Sequence, residues 1–308
     1  MNVSKDLLRM LDSPLTLEQV QPLPDGNVGL AVLGFPIGHS LSPQLHNAAL
    51  EELTSRDPNY KNWSYGKVEL AASDLGKALP LFWECGYKGL NLTIPHKVEV
   101  LPLLSSIDED ADLMGAVNTL VWKEDGWHGC NTDGYGLEAG LKESLSVVLE
   151  NAQVLIVGAG GAARAAAAQC LRSKCQKLWM TNRSPGRLQQ VVEVLAQAFG
   201  SDRIQSFPLH DLPHEVLEVK ELVVINATAL GLKPEDPCPI ELGKFRADCR
   251  VYDMVYNPPL TQLLTRASHF QMSHANGLSM LVHQAARALE LWTDQRISVA
   301  AMYRGVKS

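Results

Sequence analysis

Short apolar runs alternate with amphipathic segments along the chain from residue 28 onward. The run VGLAVLGF from Val28 predicts a buried strand, and the segment from Ser42, with Pro43 in its first turn, predicts a helix that Ser42 caps. The same order then repeats: strands are predicted over 64–70 and 89–94, helices over 73–85 and 97–104, and a hairpin around 124–126. This pattern indicates an α/β domain.

A second α/β region follows a predicted connector helix over 134–148. QVLIVGAGGAARAAAAQCL, from Gln153, combines a buried strand, a glycine-rich turn and an alanine-rich helix. Further strands are predicted over 177–182, 204–207, 222–228 and 250–256, with helices between the first three and after the last. Such alternation predicts a parallel, doubly wound sheet. A long helix from Gly277 to about Trp292 and a shorter one near 297–304 are predicted to end the chain.

These elements predict the domain organisation. An N-terminal lead is expected over residues 1–26, without a catalytic role. A first α/β domain is expected over 27–133 together with 278–308, and a Rossmann-like, doubly wound domain over 134–277.

Composition and charge narrow the class of protein. The 308 residues are 46% hydrophobic and 20% charged, which is typical of a folded globular chain. With 27 Lys and Arg against 34 Asp and Glu, the net charge is −7, so we expect neither nucleic acid nor a membrane surface as partner. The six cysteines follow no metal-binding or disulfide spacing, and no signal peptide or membrane span is indicated. We therefore expect a cytoplasmic protein without a metal.

The glycine-rich turn fits the dinucleotide-binding pattern GxGxxG/A, with Ala163 at the third position. Gly158 permits the tight turn, Gly160 lets the backbone approach a pyrophosphate, and Ala163 keeps the helix close to the strand. The start of the helix offers N–H groups and a positive dipole to phosphates. The predicted cofactor site comprises Gly158, Gly160, Gly161, Ala162 and Ala163. The alternative is a glycine-rich turn that serves packing alone.

The next strand ends without the carboxylate that accepts from the ribose hydroxyl in NAD-binding domains. Asn182, Arg183, Ser184 and Arg187 stand there instead. Two guanidinium groups and no acid favour the 2′-phosphate of NADP, so NADP is the predicted cofactor. The alternative is that both arginines are simply solvated.

Polar side chains follow the predicted strands of the first domain, where ligands of α/β sheets usually bind. Taken singly, each has a structural explanation, such as a helix cap or a surface lysine. Together, the hydroxyl, amide, ammonium and carboxylate groups suit a small polyhydroxylated carboxylic acid. The residues are Ser40, Ser42, Asn91, Thr93, Lys97, Asn118 and Asp133.

Eight motifs occur in the order and spacing typical of one family. They are GFPIGHSLSP, GLNLTIPHK, GAVNTL, GCNTDGYG, the GAGGAA turn with TNRSPGR, INATALGL, YDMVYNPPLT and NGLSMLVHQAA. Over about residues 28–293 the chain thus resembles the shikimate dehydrogenases of the shikimate/quinate dehydrogenase family. The main departure is His96, where many relatives have an aromatic residue, and we do not expect it to be a catalytic base.

The resemblance implies an enzyme of aromatic amino acid biosynthesis that reversibly reduces 3-dehydroshikimate to shikimate with NADPH. Lys97 and Asp133 would form the catalytic pair: the ammonium protonates the incipient alkoxide, and the carboxylate fixes the lysine head and accepts from a substrate hydroxyl. Residues 27–133 and 278–308 would be the substrate-binding and catalytic domain, and residues 134–277 the NADP domain.

The resemblance also implies roles for the other matching residues. Ser40 and Ser42 would hold the substrate carboxylate, and Asn91, Thr93, Asn118 and Gln284 its hydroxyls. Tyr256 would contribute to the substrate side. Gly277 and Met280 would lie near the nicotinamide, and with Gln284 they share one face of the long helix.

Three alternatives stay open. A quinate or quinate/shikimate dehydrogenase would use the same catalytic pair. A ligand-responsive binding protein could keep the fold without chemistry, although both Lys97 and Asp133 are present. A folate-linked dehydrogenase is disfavoured because the 6% of aromatic residues form no cluster near the motifs. The sequence leaves the oligomeric state open between a monomer and a homodimer.

Overall fold

The computed structural model describes residues 13–209 and 211–307, which form two compact units. The first unit comprises the chain up to Thr132 together with the chain from Ala285 onward, and the second runs from Asp133 to Gln284. The first twelve residues of the predicted lead lie outside the described residues. The remainder of the lead packs on the first unit: Leu15 N donates to Lys67 O, and Val20 belongs to the core.

A six-stranded mixed sheet forms the centre of the first unit. Its strands are β1 (Val28–Gly34), β2 (Trp63–Glu69), β3 (Tyr87–Leu92), β4 (Ser106–Ile107), β5 (Thr119–Lys123) and β6 (Gly126–Cys130). The order is β2-β1-β3-β5-β6-β4. Strands β2, β1 and β3 are parallel, and the predicted hairpin β5–β6 joins β3 in antiparallel fashion. The sequence did not indicate the two-residue strand β4.

From residue 13 to the start of the second unit, the structure describes four α-helices: α1 (Ser42–Arg56), α2 (Leu75–Glu84), α3 (His96–Glu99) and α4 (Glu109–Met114). The helix predicted over 97–104 is shorter than expected. It ends at Glu99, and a 3-10 turn over Leu101–Leu103 follows. Pro102 explains the difference, because a proline ring would clash with the carbonyl four residues earlier in a continued α-helix.

The second unit contains a six-stranded, fully parallel sheet. Its strands are β7 (Gln153–Val157), β8 (Lys177–Asn182), β9 (Ile204–Pro208), β10 (Val223–Asn226), β11 (Arg250–Asp253) and β12 (Ser273–Asn276). The order β12-β11-β10-β7-β8-β9 reverses direction at β7, as in a doubly wound sheet. This confirms the predicted fold class. The edge strand β12 was not predicted, because its residues Ser-His-Ala-Asn form no apolar run.

Seven helices complete the part of the chain that the structure describes. They are α5 (Asp133–Leu145), α6 (Gly161–Arg172), α7 (Pro185–Phe199), α8 (His214–Leu217), α9 (Gln262–His269), α10 (Leu278–Thr293) and α11 (Val299–Lys307). Helix α10 begins in the second unit and ends in the first. Within the described ranges, no helix combines the length and the apolar character that crossing a bilayer requires.

Trp292, near the end of α10, packs against the sheet of the first unit. Its Nε1 donates to the carbonyl of Leu120 on β5 at 2.9 Å. The indole lies directly over Gly89 of β3, where a Cβ atom would stand only 2.3 Å from Nε1. Gly66 of β2 provides a contrast, because a Cβ there would meet nothing within 4 Å. The missing side chain at residue 89 is what lets α10 dock on the sheet.

We therefore expect Gly89→Ala to destabilise the protein by about 1–3 kcal/mol, since Trp292 must move away from β3. Gly66→Ala, in the same sheet, should leave the stability unchanged or slightly raised, because alanine restricts the unfolded chain. Urea unfolding followed by tryptophan fluorescence compares the two variants. Equal unfolding midpoints would contradict the close packing of the indole on Gly89.

Candidate active site

Polar side chains of the first unit gather at one edge of its sheet. The parallel strands β1 and β3 end there, and the antiparallel strand β5 begins there. Ser40 and Ser42 follow β1, Thr93 and Lys97 follow β3, and Asn118 directly precedes β5. The topology therefore brings five of the predicted site residues to one edge, which is where ligands of such sheets bind.

Asn91, in β3, is buried, and both the oxygen and the nitrogen of its side-chain amide form hydrogen bonds within the protein. Its Oδ1 accepts from the hydroxyl of Tyr65 on β2 at 2.7 Å. Its Nδ2 donates to Asn118 O and to Thr119 Oγ1, each at 3.0 Å. Both amide protons are thus used within the protein, and the remaining hydrogen-bonding capacity of Asn91 is that of an acceptor.

Asn118 continues this network to the end of the first unit. Its Oδ1 accepts from Thr132 N at 2.8 Å and from Thr119 Oγ1 at 2.9 Å, and its Nδ2 donates to Thr132 Oγ1 at 3.0 Å. Asn118 is 2% exposed, and Thr119 and Thr132 are also buried. Because buried polar groups are costly unless satisfied, this network fixes β2, β3, β5 and Thr132 relative to one another.

Backbone hydrogen bonds hold the segment that carries Lys97. The amide of Thr93 donates to Leu33 O at 3.0 Å, His96 N donates to Thr93 O at 2.8 Å, and Val117 N donates to Lys97 O at 2.8 Å. The bond from Val117 N places Lys97 beside Val117, which directly precedes Asn118. The Lys97 side chain is half-buried.

His96 has a structural role. The residue is fully buried, and its Nε2 lies 2.8 Å from the carbonyl of Leu70, to which it donates. Burial lowers the pKa of His96. A ring held in this way serves to fix the turn before Lys97.

The loop between β1 and α1 differs in one detail from the sequence prediction. Ser42 is the first residue of the helix and Leu41 its N-cap, so the prediction that Ser42 caps the helix is wrong. Ser40, which precedes the N-cap, bonds to the helix end instead, because its Oγ accepts from Ser42 N at 3.3 Å. The two serines thus lie together at the helix N-terminus, whose dipole favours an anion.

The rings of His46 and Tyr65 stack on each other in the first unit. Their ring centroids are 4.0 Å apart and the ring planes differ by 4°. His46 lies one turn after Ser42 in α1 and is fully buried. Burial lowers the pKa of His46 to about 3 and raises the pKa of Tyr65. The imidazole is therefore neutral in the folded protein.

The glycine-rich turn of the second unit leaves the start of helix α6 uncovered. Gly158 has a φ of +130°, and a Cβ there would lie 3.0 Å from Ala227 O of the neighbouring chain segment. Helix α6 begins at Gly161 with Gly160 as N-cap, and no side chain in the described ranges caps it. A Cβ at Gly160 or Gly161 would meet nothing within 4 Å. The first amides of the helix are thus open to an anion.

Ala162 and Ala163 complete this turn. Ala162 is exposed at the helix start, whereas Ala163 is fully buried, which allows α6 to pack closely.

The loop after β8 carries the predicted 2′-phosphate site. Asn182 Nδ2 donates to Ser184 O at 3.1 Å and fixes the loop before α7. Arg183 and Arg187 are exposed, and neither forms an ion pair with any residue that the structure describes. No carboxylate occurs among the residues from Asn182 to Arg187.

Two glycines pack α5 against the start of α10. A Cβ at Gly136 would lie 2.7 Å from both Gln284 Cβ and Met280 O, and one at Gly140 would lie 2.8 Å from Met280 N. Asp133 is the first residue of α5, one turn before Gly136. Gly136, one turn after Asp133, thus lies against Met280 and Gln284.

Gly277 and Tyr256 belong to the same region of the second unit. Gly277 N donates to Val255 O at 3.2 Å, and a Cβ at Gly277 would stand 2.2 Å from Met254 O. Only glycine permits this approach. Tyr256 is half-buried, and burial raises its pKa.

Sequence reasoning missed the polar residues that support these groups. The buried carboxylate of Asp253 accepts from Asn226 Nδ2 at 2.9 Å, Val255 N at 3.1 Å and Thr261 Oγ1 at 2.6 Å. In the first unit, Tyr65 and Thr132 were likewise not predicted. The available signal was a polar residue inside an apolar strand, or one adjoining a predicted site residue.

The six cysteines are free. Burial raises the pKa of Cys130 to about 12 and that of Cys175 to about 11, so these thiols stay protonated. No group of three His, Cys, Asp or Glu residues able to hold a metal ion occurs in the described part of the chain.

Three family models match the chain. The model described as "Shikimate dehydrogenase substrate binding domain" matches residues 32–120, "Shikimate / quinate 5-dehydrogenase" matches 141–231, and "Shikimate 5'-dehydrogenase C-terminal domain" matches 277–307. Among named relatives, the shikimate dehydrogenase (NADP(+)) of Geobacter metallireducens is 37% identical over 90% of this chain and 95% of its own. That of Bacillus subtilis is 35% identical over 88% and 93%.

Two solved structures are similar to this chain in fold and in sequence. The shikimate 5-dehydrogenase of Thermus thermophilus, in complex with NADP(H) and shikimate, has a TM-score of 0.79 at 31% identity and covers 91% of this chain and 98% of its own. The quinate dehydrogenase of Corynebacterium glutamicum, in complex with NAD, has a TM-score of 0.80 at 28% identity over 91% and 99%.

The buried, neutral His46 predicts a defined pH dependence of stability. Below its unfolded pKa of about 6.5, only the unfolded chain binds the proton, until pH approaches the folded value of about 3. His46 thus lowers the free energy of unfolding by about 1.4 kcal/mol for each pH unit in this window. His46→Phe keeps an aromatic ring and should remove this slope.

Urea unfolding between pH 6.5 and 4.5 measures the slope. His214→Phe is the matched control, because it makes the same substitution at a histidine whose side chain is 85% exposed. If His46→Phe and wild type lose stability in parallel as the pH falls, His46 is not neutral in the folded protein.

Proposed function

The chain belongs to the shikimate dehydrogenase family, and on that premise we propose that it catalyses the reversible, NADP-dependent reduction of 3-dehydroshikimate to shikimate in aromatic amino acid biosynthesis. The observation that carries this proposal is the polar edge of the first unit. Two hydroxyls at a helix N-terminus, buried amides and an ammonium occur together there. That set suits a substrate with one carboxylate, several hydroxyls and a ring ketone.

Substrate binding follows from the hydrogen-bonding capacity of each group. Ser40 and Ser42 bind the carboxylate, supported by the N-terminus of α1. Asn91 accepts from a ring hydroxyl, since both of its amide protons are used within the protein. Thr93, Asn118 and Gln284 bind the other hydroxyls, and Tyr256 contributes to the substrate side.

NADP fits the second unit. The open N-terminus of α6 receives the pyrophosphate, because Gly160 and Gly161 leave space there. Arg183 and Arg187 bind the 2′-phosphate, Asn182 and Ser184 shape their loop, and the segment around Gly277 and Met280 receives the nicotinamide. When bound, the cofactor supplies the hydride chemistry of the reaction.

Lys97 and Asp133 form the catalytic pair. The Lys97 ammonium donates a proton to the ketone oxygen as negative charge develops on it, and takes the proton back in the reverse direction. The Asp133 carboxylate accepts from the neighbouring substrate hydroxyl and orients the ring. General acid–base catalysis of this kind typically accelerates a reaction by about 10²–10⁴-fold.

Two other functions are candidates. A quinate dehydrogenase would use the same pair, and the similarity to the quinate dehydrogenase of Corynebacterium glutamicum favours this second candidate. The paired serines of the first unit favour the flatter shikimate ring. A binding protein without chemistry is the third, and it would not need the lysine and carboxylate.

We also propose a cellular location and an oligomeric state for the protein. Six free cysteines suit a reducing compartment, so we place the protein in the cytoplasm. It acts as a monomer or a homodimer on its small-molecule substrate.

Lys97→Ala and Asp133→Asn should each lower kcat by about two or more decades, because each removes a proton-transferring or orienting group. The affinity for NADP should stay nearly unchanged. Initial rates of NADPH formation from shikimate, with a cofactor titration, measure both effects. Lys77→Ala and Asp202→Asn, which change exposed residues of the same types, are the controls. A normal kcat in either site variant would remove that residue from the mechanism.

Arg183→Ala should raise the KM for NADP by about tenfold to a hundredfold, since a charge-assisted hydrogen bond to the 2′-phosphate is lost. NAD lacks this phosphate and serves as the internal control, so its KM should not change. Equal increases for the two cofactors would show that Arg183 shapes the loop and does not read the phosphate.

A further inference from the structure

Lys67 is a buried cation outside the set of residues considered so far. It lies in the middle of β2 and is 4% exposed. Because side chains alternate along a strand, Lys67 shares a face with Tyr65 and Glu69. Its Nζ donates to the carbonyl of Gly38 at 3.0 Å. Gly38 belongs to the loop between β1 and α1, which also carries Ser40 and Ser42.

The ammonium of Lys67 contacts an uncharged acceptor. Among the described residues Lys67 forms no ion pair, and its ammonium donates a hydrogen bond to the carbonyl of Gly38. The carboxylate of Glu69 on the same face accepts from Ile37 N at 3.3 Å and does not pair with Lys67. Burying an ammonium without an opposite charge is costly, and the cost falls when an anion binds nearby.

The serines of the loop that Lys67 contacts offer uncharged donors to an anion. The hydroxyls of Ser40 and Ser42 and the first amides of α1 can donate hydrogen bonds, but they carry no net charge. The Lys67 ammonium, held to the carbonyl of Gly38 two residues before Ser40, adds a positive charge to this loop. Its attraction is stronger there than at the surface, since burial reduces screening by water.

We propose that Lys67 is a specificity-determining residue that makes the loop over residues 38–42 select a carboxylate, and that the substrate carboxylate in turn compensates the buried ammonium. This inference rests on the proposed function, because it assigns the carboxylate to the two serines. It adds that the charge of the substrate, and not only its shape, is recognised. Neutral analogues should therefore bind more weakly.

Two substitutions test the charge separately from the hydrogen bond. Lys67→Met removes both, and Lys67→Gln keeps a donor for the Gly38 carbonyl without the charge. The substrates are shikimate and its methyl ester, which differ by one negative charge. Lys77→Met, at an exposed position of the same unit, is the control.

In both variants the KM for shikimate should rise about tenfold or more, because a buried charge pair is lost. The KM for the methyl ester and the Kd for NADP should stay within about twofold, and kcat should change little. The Kd of shikimate, measured by calorimetry, should rise in parallel with its KM. The preference of the wild type for the acid over the ester should thus largely disappear.

Equal losses for acid and ester would overturn the inference, because they would show that Lys67 acts only by holding the loop through Gly38. Unchanged constants for both substrates would overturn it as well. If Lys67→Met does not fold, Lys67→Gln and the ratio of acid to ester binding decide the question. Wild-type protein that forms no NADPH from shikimate would instead contradict the proposed function.

Discussion

The amide of Asn118 is the constraint on which the first unit depends. Its side chain bonds to Thr119 and Thr132, and its backbone carbonyl accepts from Asn91, so one residue ties three parts of the polar edge together. Every member is buried, and an unmatched donor or acceptor there would cost about 1–3 kcal/mol. The edge is therefore rigid before any ligand arrives, which is what selective binding of hydroxyl groups requires.

The second unit depends instead on glycines, whose missing side chains permit close packing of the backbone. Gly136 and Gly140 let α5 pack on α10, and Gly277 lets the backbone near Met254 approach that helix. Gly160 and Gly161 serve another purpose, because the space at their Cβ positions is empty and leaves the start of α6 accessible. Close packing and open backbone donors thus come from the same residue type at different places.

Most of the architecture could be predicted from the sequence. The apolar runs of β1, β3, β7 and β10 and the pattern around Gly158 predict two α/β regions, the second with a parallel sheet, and the structure confirms the two-domain α/β fold. The edge strand β12 was missed because an edge strand of polar residues carries no apolar signal. The cap at Ser42 was misplaced because Ser40, two residues earlier, bonds to the same helix end.

Site residues were harder to predict for a physical reason. Lys97, Asn118 and Asp133 stand in recognisable motifs, whereas Tyr65, Lys67 and Asp253 lie within strands. A polar residue in a strand is ambiguous until its partners are known, since the same residue could face solvent. Only the pairing of β2 with β1 places Lys67 under the loop of Gly38.

The most direct test compares the initial rates of NADPH or NADH formation from shikimate and from quinate, each with NADP and with NAD. Shikimate with NADP should give by far the highest kcat/KM of the four combinations. A preference for quinate, or for NAD, would contradict the roles given to the two serines or to Arg183. Absence of turnover with all four would contradict the assignment of the chain as an enzyme of this kind.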